Sequence, residues 1–383
     1  MKNRINLVIK KNKKKMAIVA TVPMMIRFFL VNHINLLQKH YELTIISNLS
    51  ENQELLDILP KEIKKFHVPF QRNISLFSDI KCLLILIFHF NKINYSITYS
   101  ISPKGGFLSS TAAYLTGIPI RIHTFTGQVW VLRKGFIKLL LKSIDKLINT
   151  FSTNLFIDSK SQKVFLIKNK IIDKGKSIVI GDGSISGVNI KRFKPNFHHK
   201  KKMRKKYNID EEAIIFLFLG RINRDKGIYS LIESFNKISQ EEKKFKLWIV
   251  GKDEENLRKL FNKKRNIKFF SYTNSPEYYM QAADIFCLPS KREGFGTTVI
   301  EAAACSIPSI GSNIYGISDA IVNRKTGLLF NVQDINDLSK KMMQLACNHE
   351  LRKKMGLNAR NRVMKKFNED QVSSNLVKII NNL

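Results

Sequence analysis

Two kinds of apolar pattern alternate along the chain. In one, apolar and β-branched residues run almost without a break: "MAIVATV" (16–22), "LTIISN" (43–48), "YSITYS" (95–100), "IRIHTF" (120–125), "NLFIDS" (154–159) and "SIVIGDG" (177–183). In the other, apolar residues return every three or four positions, as in "SLFSDIKCLLILIFHF" and "RKGFIKLLLKSIDKLI". Near-continuous apolar strands are those covered on both faces, and strands parted by helices pair in parallel. A basic stretch with a single acid, "NIKRFKPNFHHKKKMRKKYNID" (189–210), then reads as a linker and the first helix of a second unit. The alternation restarts with "AIIFLFLG" (213–220), "FKLWIVG" (245–251), "NIKFFSYT" (266–273), "DIFCLPS" (284–290) and "PSIGSN" (308–313), and ends in helices from Asp334 onward. The pattern predicts two doubly wound α/β domains, an N-terminal one over 16–195 and a C-terminal one over 196–383, behind a basic arm over 1–15. The last helix is the segment that would pack back on the N-terminal domain. Ligands of such sheets sit at the carboxyl ends of strands, and two such domains offer the cleft between them.

Composition changes this picture in one respect. The chain has 383 residues, enough for two domains, and 65 basic against 30 acidic residues, a net charge of +35. That field attracts polyanions: nucleic acid, an anionic membrane face or phosphorylated substrates. Abundant Lys, Asn and Ile also follow from an AT-rich genome, so the charge alone assigns no function. Cys82, Cys287, Cys305 and Cys347 are far apart and form no zinc pattern; the first three sit in apolar runs as small core residues, which fits a reducing cytoplasm. The run "CLLILIF" between Lys81 and His89 is far shorter than the ~20 residues of a membrane span. "MKNRINLVIKKNKKKM" lacks the apolar core of a secretory signal; it reads either as a basic membrane-facing arm or as sequence upstream of a start at Met16.

Two stretches could carry chemistry. In "FLGRINRDKG" (218–227) a buried strand ends at Gly220, Arg221 and Lys226 follow, and Gly227 opens a helix. A guanidinium fork, an ammonium and a helix N-terminus at one strand end suit a diphosphate; a merely solvated loop is the alternative. In "SKREGFGTTVIEAAA" (290–304), Gly294 and Gly296 let the backbone turn and approach a ligand, and their amides, with that of Phe295, precede a helix starting near Thr297. Glu293 can accept hydrogen bonds from sugar hydroxyls. Glu301, between "TTVI" and "AAA", is in too apolar a setting for a solvated carboxylate and should have a partner.

These motifs resemble a known family. "GRINRDKG", "EGFGTTVIEAAA", "GISDAI" and "TGLLF", in that order, resemble the C-terminal half of family 4 retaining glycosyltransferases of the GT-B fold. More loosely, "TVPMMIRFFLVNHINLL", "SPKGGFLSSTAAYLTGIPIRIHTFTGQVW" and "GDGSISGVNIKRF" resemble its bacterial capsule and lipopolysaccharide members. The resemblance implies Arg221 and Lys226 on the donor diphosphate, Glu293 on the donor sugar and Glu301 on the ribose. It implies the amides of Gly294, Phe295, Gly296 and Thr297 around sugar and phosphate, next to Gly220, with "SYTNS" (271–275) at the base. There are departures. "TVPMMIR" replaces a Gly-Gly loop, Asn189 replaces an Asp, and Thr126 stands before Gly127 where relatives carry His. His123 lies three residues earlier and is either a pocket histidine or a core one; His123, Thr126 and Gly127 are the candidates on the acceptor side. "GDGSISG" follows the last strand of its domain and is not a dinucleotide fingerprint.

No Asp-x-Asp pair occurs, so the expectation is metal-independent transfer with no cofactor beyond the nucleotide diphosphate sugar, the protein's own cations stabilising the leaving group. The implied activity is a hexosyltransferase in surface polysaccharide synthesis. The implied acceptor is an undecaprenyl-diphosphate-linked glycan, and the expected place is the cytoplasm, on the inner face of the plasma membrane. Residues 131–147 carry five basic residues and one acid on an apolar helical pattern and, with "SLFSDIKCLLILIFHF", either lie on anionic lipid or pack on the sheet. The alternatives are a soluble acceptor, a phosphorylase-like enzyme, for which no pyridoxal lysine is visible, and a polyanion-binding protein, for which no nucleic-acid motif is visible.

Overall fold

The structure, a computed structural model, describes residues 13–50, 56–71, 73, 75–240, 242–261 and 266–383. The basic arm up to residue 12 lies outside the described residues.

The first half of the chain forms a seven-stranded sheet of β1 (Lys14–Ala20), β2 (Tyr41–Ser47), β3 (Lys64–His67), β4 (Ile97–Ile101), β5 (Ile120–Phe125), β6 (Asn154–Ile157) and β7 (Ser177–Val179). Its order is β3-β2-β1-β4-β5-β6-β7. The second half forms a six-stranded sheet of β8 (Ile214–Leu219), β9 (Phe245–Val250), β10 (Ile267–Phe270), β11 (Ile285–Leu288), β12 (Ser309–Ser312) and β13 (Gly327–Phe330), in the order β10-β9-β8-β11-β12-β13. Pairs such as β1–β4, β8–β9 and β8–β11 are parallel. Successive residues of β1 and β8 are buried, Met16 to Ala20 and Ile215 to Phe218, which requires cover on both faces.

Two strands have no counterpart in the sequence reading. β3, "KKFH", is an edge strand with exposed lysines, and β13, "GLLF", is four residues long. β3 offers no apolar run of the kind that marks a buried strand; β13 offers a short one, which enters the sequence reading only within the motif "TGLLF". β1 begins at Lys14, two residues before Met16.

The described chain divides into two compact units, one running to Thr124 with Thr150–Asn154 and Leu383, the other comprising Phe125–Asn149 and Leu155–Asn382. The first has a core around Val19, Phe70, Cys82, Leu86, Phe90 and Tyr95. In the second, Phe216, Phe235, Trp248, Phe286 and Phe295 are buried on the six-stranded sheet. Cys82, Cys287 and Cys305 are buried and Cys347 is exposed; all four are free thiols.

The basic stretch becomes the helix Phe197–Lys206, capped by the Asn196 side chain. Most of its lysines face solvent, but Arg204 is buried, pairs with Asp284 Oδ2 at 2.5 Å and donates to the carbonyls of Ala213 and Glu211. Asp284 Oδ2 also accepts from the amide of Ile215, tying that helix to the entrances of β8 and β11. At the chain's end, Asp334 caps the helix Ile335–Ala346. Between the last two helices, His349–Lys366 and Glu369–Asn381, Phe367 O and the Glu369 amide bond with Val188.

Candidate active site

In the six-stranded sheet the strand order reverses between β8 and β11, so the loops leaving these neighbours diverge and open a crevice at their carboxyl ends. Both stretches singled out in the sequence leave the sheet there. After β8, Asn223 caps a short turn by accepting from the Lys226 amide at 3.1 Å. Gly227 (φ +72°) opens the helix Ile228–Ser239. A Cβ at Gly227 would meet the carbonyl oxygen of Pro289 at 2.0 Å, so only glycine lets this helix start against the loop that follows β11. That second loop ends at Gly296 (φ +94°), before the helix Thr297–Ala304.

Charges join the two loops. Lys226 Nζ contacts Glu293 Oε1, which also accepts from Ser290 Oγ at 2.8 Å. Arg292 donates to Asp225 Oδ2 through Nε (3.2 Å) and Nη2 (3.1 Å), and the Lys291 amide donates to the Asp225 carbonyl at 2.8 Å. Arg221 Nη1 donates to Glu254 Oε2 at 3.1 Å, and Asn223 Nδ2 to the same oxygen at 2.8 Å. Each of the two candidate cations thus holds a carboxylate beside a helix or turn N-terminus. Exchanging that carboxylate for a phosphate oxygen keeps the cation neutralised.

Glycines govern how three chain segments meet. A Cβ on Gly294 would fall 2.5 Å from Asp158 Oδ2 and 2.9 Å from the Gly127 amide; one on Gly127 would fall 3.1 Å from the Gly294 amide; one on Gly316 (φ +83°) would fall 2.6 Å from the Gly294 carbonyl. Backbone therefore lies against backbone at 127, 294 and 316, and nothing larger fits. The segment after β6 fastens this meeting. Ser159 Oγ donates to the Gly294 carbonyl at 2.8 Å, and Ser161 Oγ accepts from the Gly316 amide at 2.8 Å while bonding Asp319. Gln162 Nε2 donates to the Thr126 carbonyl at 2.5 Å.

Three carboxyls differ in environment. Glu293 shares Lys226. Asp158, buried at the end of β6, accepts from the Ile185 amide at 2.9 Å. Burial pushes its carboxyl up to about 7, the Ile185 amide opposes the rise, and the Glu293 charge adds to it. Glu301, partly exposed on the helix Thr297–Ala304, is likewise raised to about 7, chiefly by burial, with Arg192 pulling it down and Glu277 pushing it up. The partner expected for Glu301 is thus the charge of Arg192, whose guanidinium binds Glu277 Oε2 (2.7 and 2.9 Å) and the Asn274 carbonyl (2.5 Å). Asn274 belongs to the "SYTNS" stretch.

The structure brings Gly220, Arg221, Lys226, Gly294, Phe295, Gly296, Thr297, Glu293, Glu301, Thr126 and Gly127 into one compact unit. Within it Phe295 offers backbone only, since its ring is buried against Gly183 and Phe367. His123 belongs to the other unit. It is buried, bonds Ser100 Oγ through Nδ1 at 2.9 Å, and lies where a Cβ on Gly106 would be 2.2 Å from its ring. Burial lowers its pKa to about 3, so the imidazole is neutral. The sequence reading missed Asp158, Ser159, Ser161, Asp225, Glu254 and Arg292. "DSKSQ" after a strand end, with a carboxylate and two hydroxyls in four residues, was the available signal. Among the described residues no group of three or more His, Cys, Asp or Glu is placed to hold a metal ion.

Two parallel-sheet α/β halves, with this pair of loops at a switch point, define the class: the fold is GT-B. HepE from Anabaena, solved with UDP and glucose, superposes with TM-score 0.81 at 14% identity over 97% of this chain and all of that one. WaaG, a glycosyltransferase involved in lipopolysaccharide biosynthesis, superposes with TM-score 0.73 at 15% identity over 95% and 99%. Residues 199–362 match the family described as glycosyl transferases group 1. The chain is 31% identical over 334 residues to the capsular polysaccharide biosynthesis glycosyltransferase CapM of Staphylococcus aureus, spanning 84% of this chain and 87% of that one. It is 27% identical over 328 residues to the UDP-Gal:α-D-GlcNAc-diphosphoundecaprenol α-1,3-galactosyltransferase of Escherichia coli, spanning 83% and 84%. The chain belongs to the group 1 glycosyltransferases, beside bacterial capsule and lipopolysaccharide members.

Proposed function

We propose that this glycosyltransferase is a retaining, family 4 enzyme that moves a sugar from a nucleotide diphosphate sugar to an undecaprenyl-diphosphate-linked glycan, without a metal ion or other cofactor, on the inner face of the plasma membrane. The observation that carries the donor reading is the joining of the two switch-point loops by Lys226 and Glu293, with Arg221 on Glu254 beside them. Arg221 and Lys226 exchange their carboxylates for oxygens of the donor diphosphate. Charge that builds on the departing diphosphate is then met by two fixed cations and by the amides ahead of the helix Thr297–Ala304. Glu293, released from Lys226, accepts from sugar hydroxyls, and Glu301 accepts from the ribose. The acceptor reading is supported by the relative from E. coli, whose acceptor is a diphosphoundecaprenol-linked sugar.

The test is thermal stabilisation by UDP, GDP, ADP and their sugar conjugates, for the wild type and for Arg221→Ala and Glu301→Ala, followed by transfer in chelator to a polyprenyl-diphosphate-linked or a free sugar. A ligand at 100 times its dissociation constant stabilises by about 2.7 kcal/mol. Stabilisation by one nucleotide class, lowered in both variants, is expected. Stabilisation by none sinks the donor site as placed. Transfer to the free sugar alone selects the soluble-acceptor alternative. Activity lost in chelator and restored by a divalent ion overturns metal independence.

A further inference from the structure

Asp158 sits where β6 ends and is 8% exposed. Its amide donates to Gln162 Oε1 at 3.0 Å, its carbonyl accepts from the Ser184 amide at 2.8 Å, and Oδ1 accepts from the Ile185 amide at 2.9 Å. Oδ2 is aimed at Gly294, 2.5 Å from where a Cβ would lie, and among the described residues it meets neither a donor nor a cation. The residue before Gly294 is Glu293. Other charges around Asp158 are already engaged. Ahead of the 183–185 segment, Asp182 is held by Lys160 (2.7 Å) and Lys366 (3.1 Å). On the helix that follows Asp158, Lys163 donates to the Ser177 carbonyl. In the turn after Gly316, Asp319 is bound by Ser161, and beside Glu293, Arg292 is bound by Asp225. The 126–128 segment brings only Thr126, Gly127 and Gln128, none of them charged. The charge that reaches Asp158 is therefore that of Glu293, and the cation on Glu293 is Lys226. A carboxylate buried without a cation is relieved by taking a proton, and burial raises this one to about 7.

We propose that Asp158 is a positioning residue for the donor loop that works as the neutral acid, so that a donor taking Lys226 from Glu293 draws a proton onto Asp158. The inference rests on the donor reading above and deepens it. When Lys226 turns to the diphosphate, Glu293 keeps its charge and loses the cation that neutralised it, and the diphosphate brings further negative charge. An ionised Asp158 against Gly294 would then be repelled by both, whereas the neutral acid leaves the loop where it is. The coupling is reciprocal: a donor that tightens the hold on the proton is itself held tighter by the proton, by the same factor.

The experiment is calorimetric titration of the full chain with UDP-glucose, GDP-glucose and ADP-glucose between pH 6 and pH 8, in buffers of different ionisation heat, which counts the protons bound per donor. A sugar conjugate is the probe because its diphosphate, unlike that of a free nucleotide, has no group titrating near neutrality. Asp158→Asn is the comparison, since it keeps an acceptor for the Ile185 amide and removes the titration. Glu301, also raised to about 7, gives up a proton on accepting from the ribose; that release is common to both chains, so their difference reports Asp158. At pH 7 the wild type should take up about half a proton more per donor than Asp158→Asn. Its affinity relative to that variant should fall by up to about tenfold from pH 7 to pH 8. In the free chain, Asp158→Asn should raise the melting temperature more at pH 8 than at pH 4, because a carboxyl whose folded pKa lies above its unfolded one costs stability only once the unfolded chain ionises. Equal proton counts in the two chains overturn the proposal and leave the donor site standing. A melting shift equal at both pH values overturns it too, since Asp158 is then not the titrating acid. No binding of any conjugate overturns the donor site, and the coupling with it.

Discussion

Lys226 and Glu301 are the residues whose chemistry is most exposed to test. Lys226→Ala leaves the Glu293 carboxylate without its cation and, at the donor site proposed above, removes a charge-assisted contact from the diphosphate. Such contacts are worth about 1.5–3 kcal/mol, so nucleotide affinity measured by calorimetry should fall roughly 10- to 100-fold. Arg221→Ala should cost less, because its side chain is more exposed and its Glu254 pair is screened by water. Glu301 titrates in the opposite sense from an ordinary paired carboxylate, because its folded pKa of about 7 lies above the 4.5 of a free glutamate. Below pH 4.5 it is protonated in both states and costs nothing; as pH rises towards 7 the unfolded chain ionises first and folding stability is lost. Glu301→Gln should therefore raise the melting temperature at pH 8 and leave it nearly unchanged at pH 4.5, while nucleotide stabilisation drops. An equal shift at both pH values would remove burial of the charge as the cause. Residue types and spacings singled out Arg221, Lys226, Glu293 and Glu301 as candidates. Asp225, Glu254 and Arg292 were not, since nothing in a sequence says which of many charges face one another across two loops.

At the scale of elements, the meeting of three glycine segments and the pinning of one helix carry the consequences. Gly316→Ala forces a Cβ onto the Gly294 carbonyl in a backbone conformation that disfavours side chains, a strain of about 1–3 kcal/mol. The strain lies in the loop proposed to hold the donor, so donor affinity and turnover should fall further than the melting temperature does; a variant with full activity would show that the loop needs no such close approach. Arg204→Ala breaks a buried ion pair and removes the guanidinium that donates to the carbonyls of Asp210, Glu211, Ala213 and Ala282, while Asp284 keeps Lys200 and the Ile215 amide. Loss of one member of such a pair costs about 3–5 kcal/mol, visible as a lower urea midpoint, and lysine should recover only part because it lacks the planar fork. Long elements with a strong apolar period were readable, with boundaries within a few residues. β3 and β13 were not: an edge strand with one exposed side carries lysine, and three apolar residues after a glycine look the same in a loop as in a strand.

For the whole molecule, the net charge of +35 is a property of the surface and not of the site. Binding of arbitrary DNA or heparin should collapse between low and moderate salt, while stabilisation by the nucleotide persists, because counterion release governs the first and a few fixed contacts the second. Retention of tight DNA binding in high salt would instead point to a dedicated polyanion surface.

The sequence by itself determined the alternation of buried strands and helices, the repetition of that alternation in two halves, and the residue types at the ends of two strands. Those follow from local periodicity and from chemistry that a short motif holds complete. The tertiary structure alone decided that β8 and β11 are neighbours, that Asp158 and the serines after β6 hold the Gly294 loop, that His123 is a buried, neutral core group, and that the helices Leu76–Ile93 and Gly135–Phe151 leave apolar side chains such as Phe77 and Phe136 exposed. These depend on which distant segments meet and which face of a helix the protein covers. A linear pattern leaves both open, because packing, not period, chooses the partner.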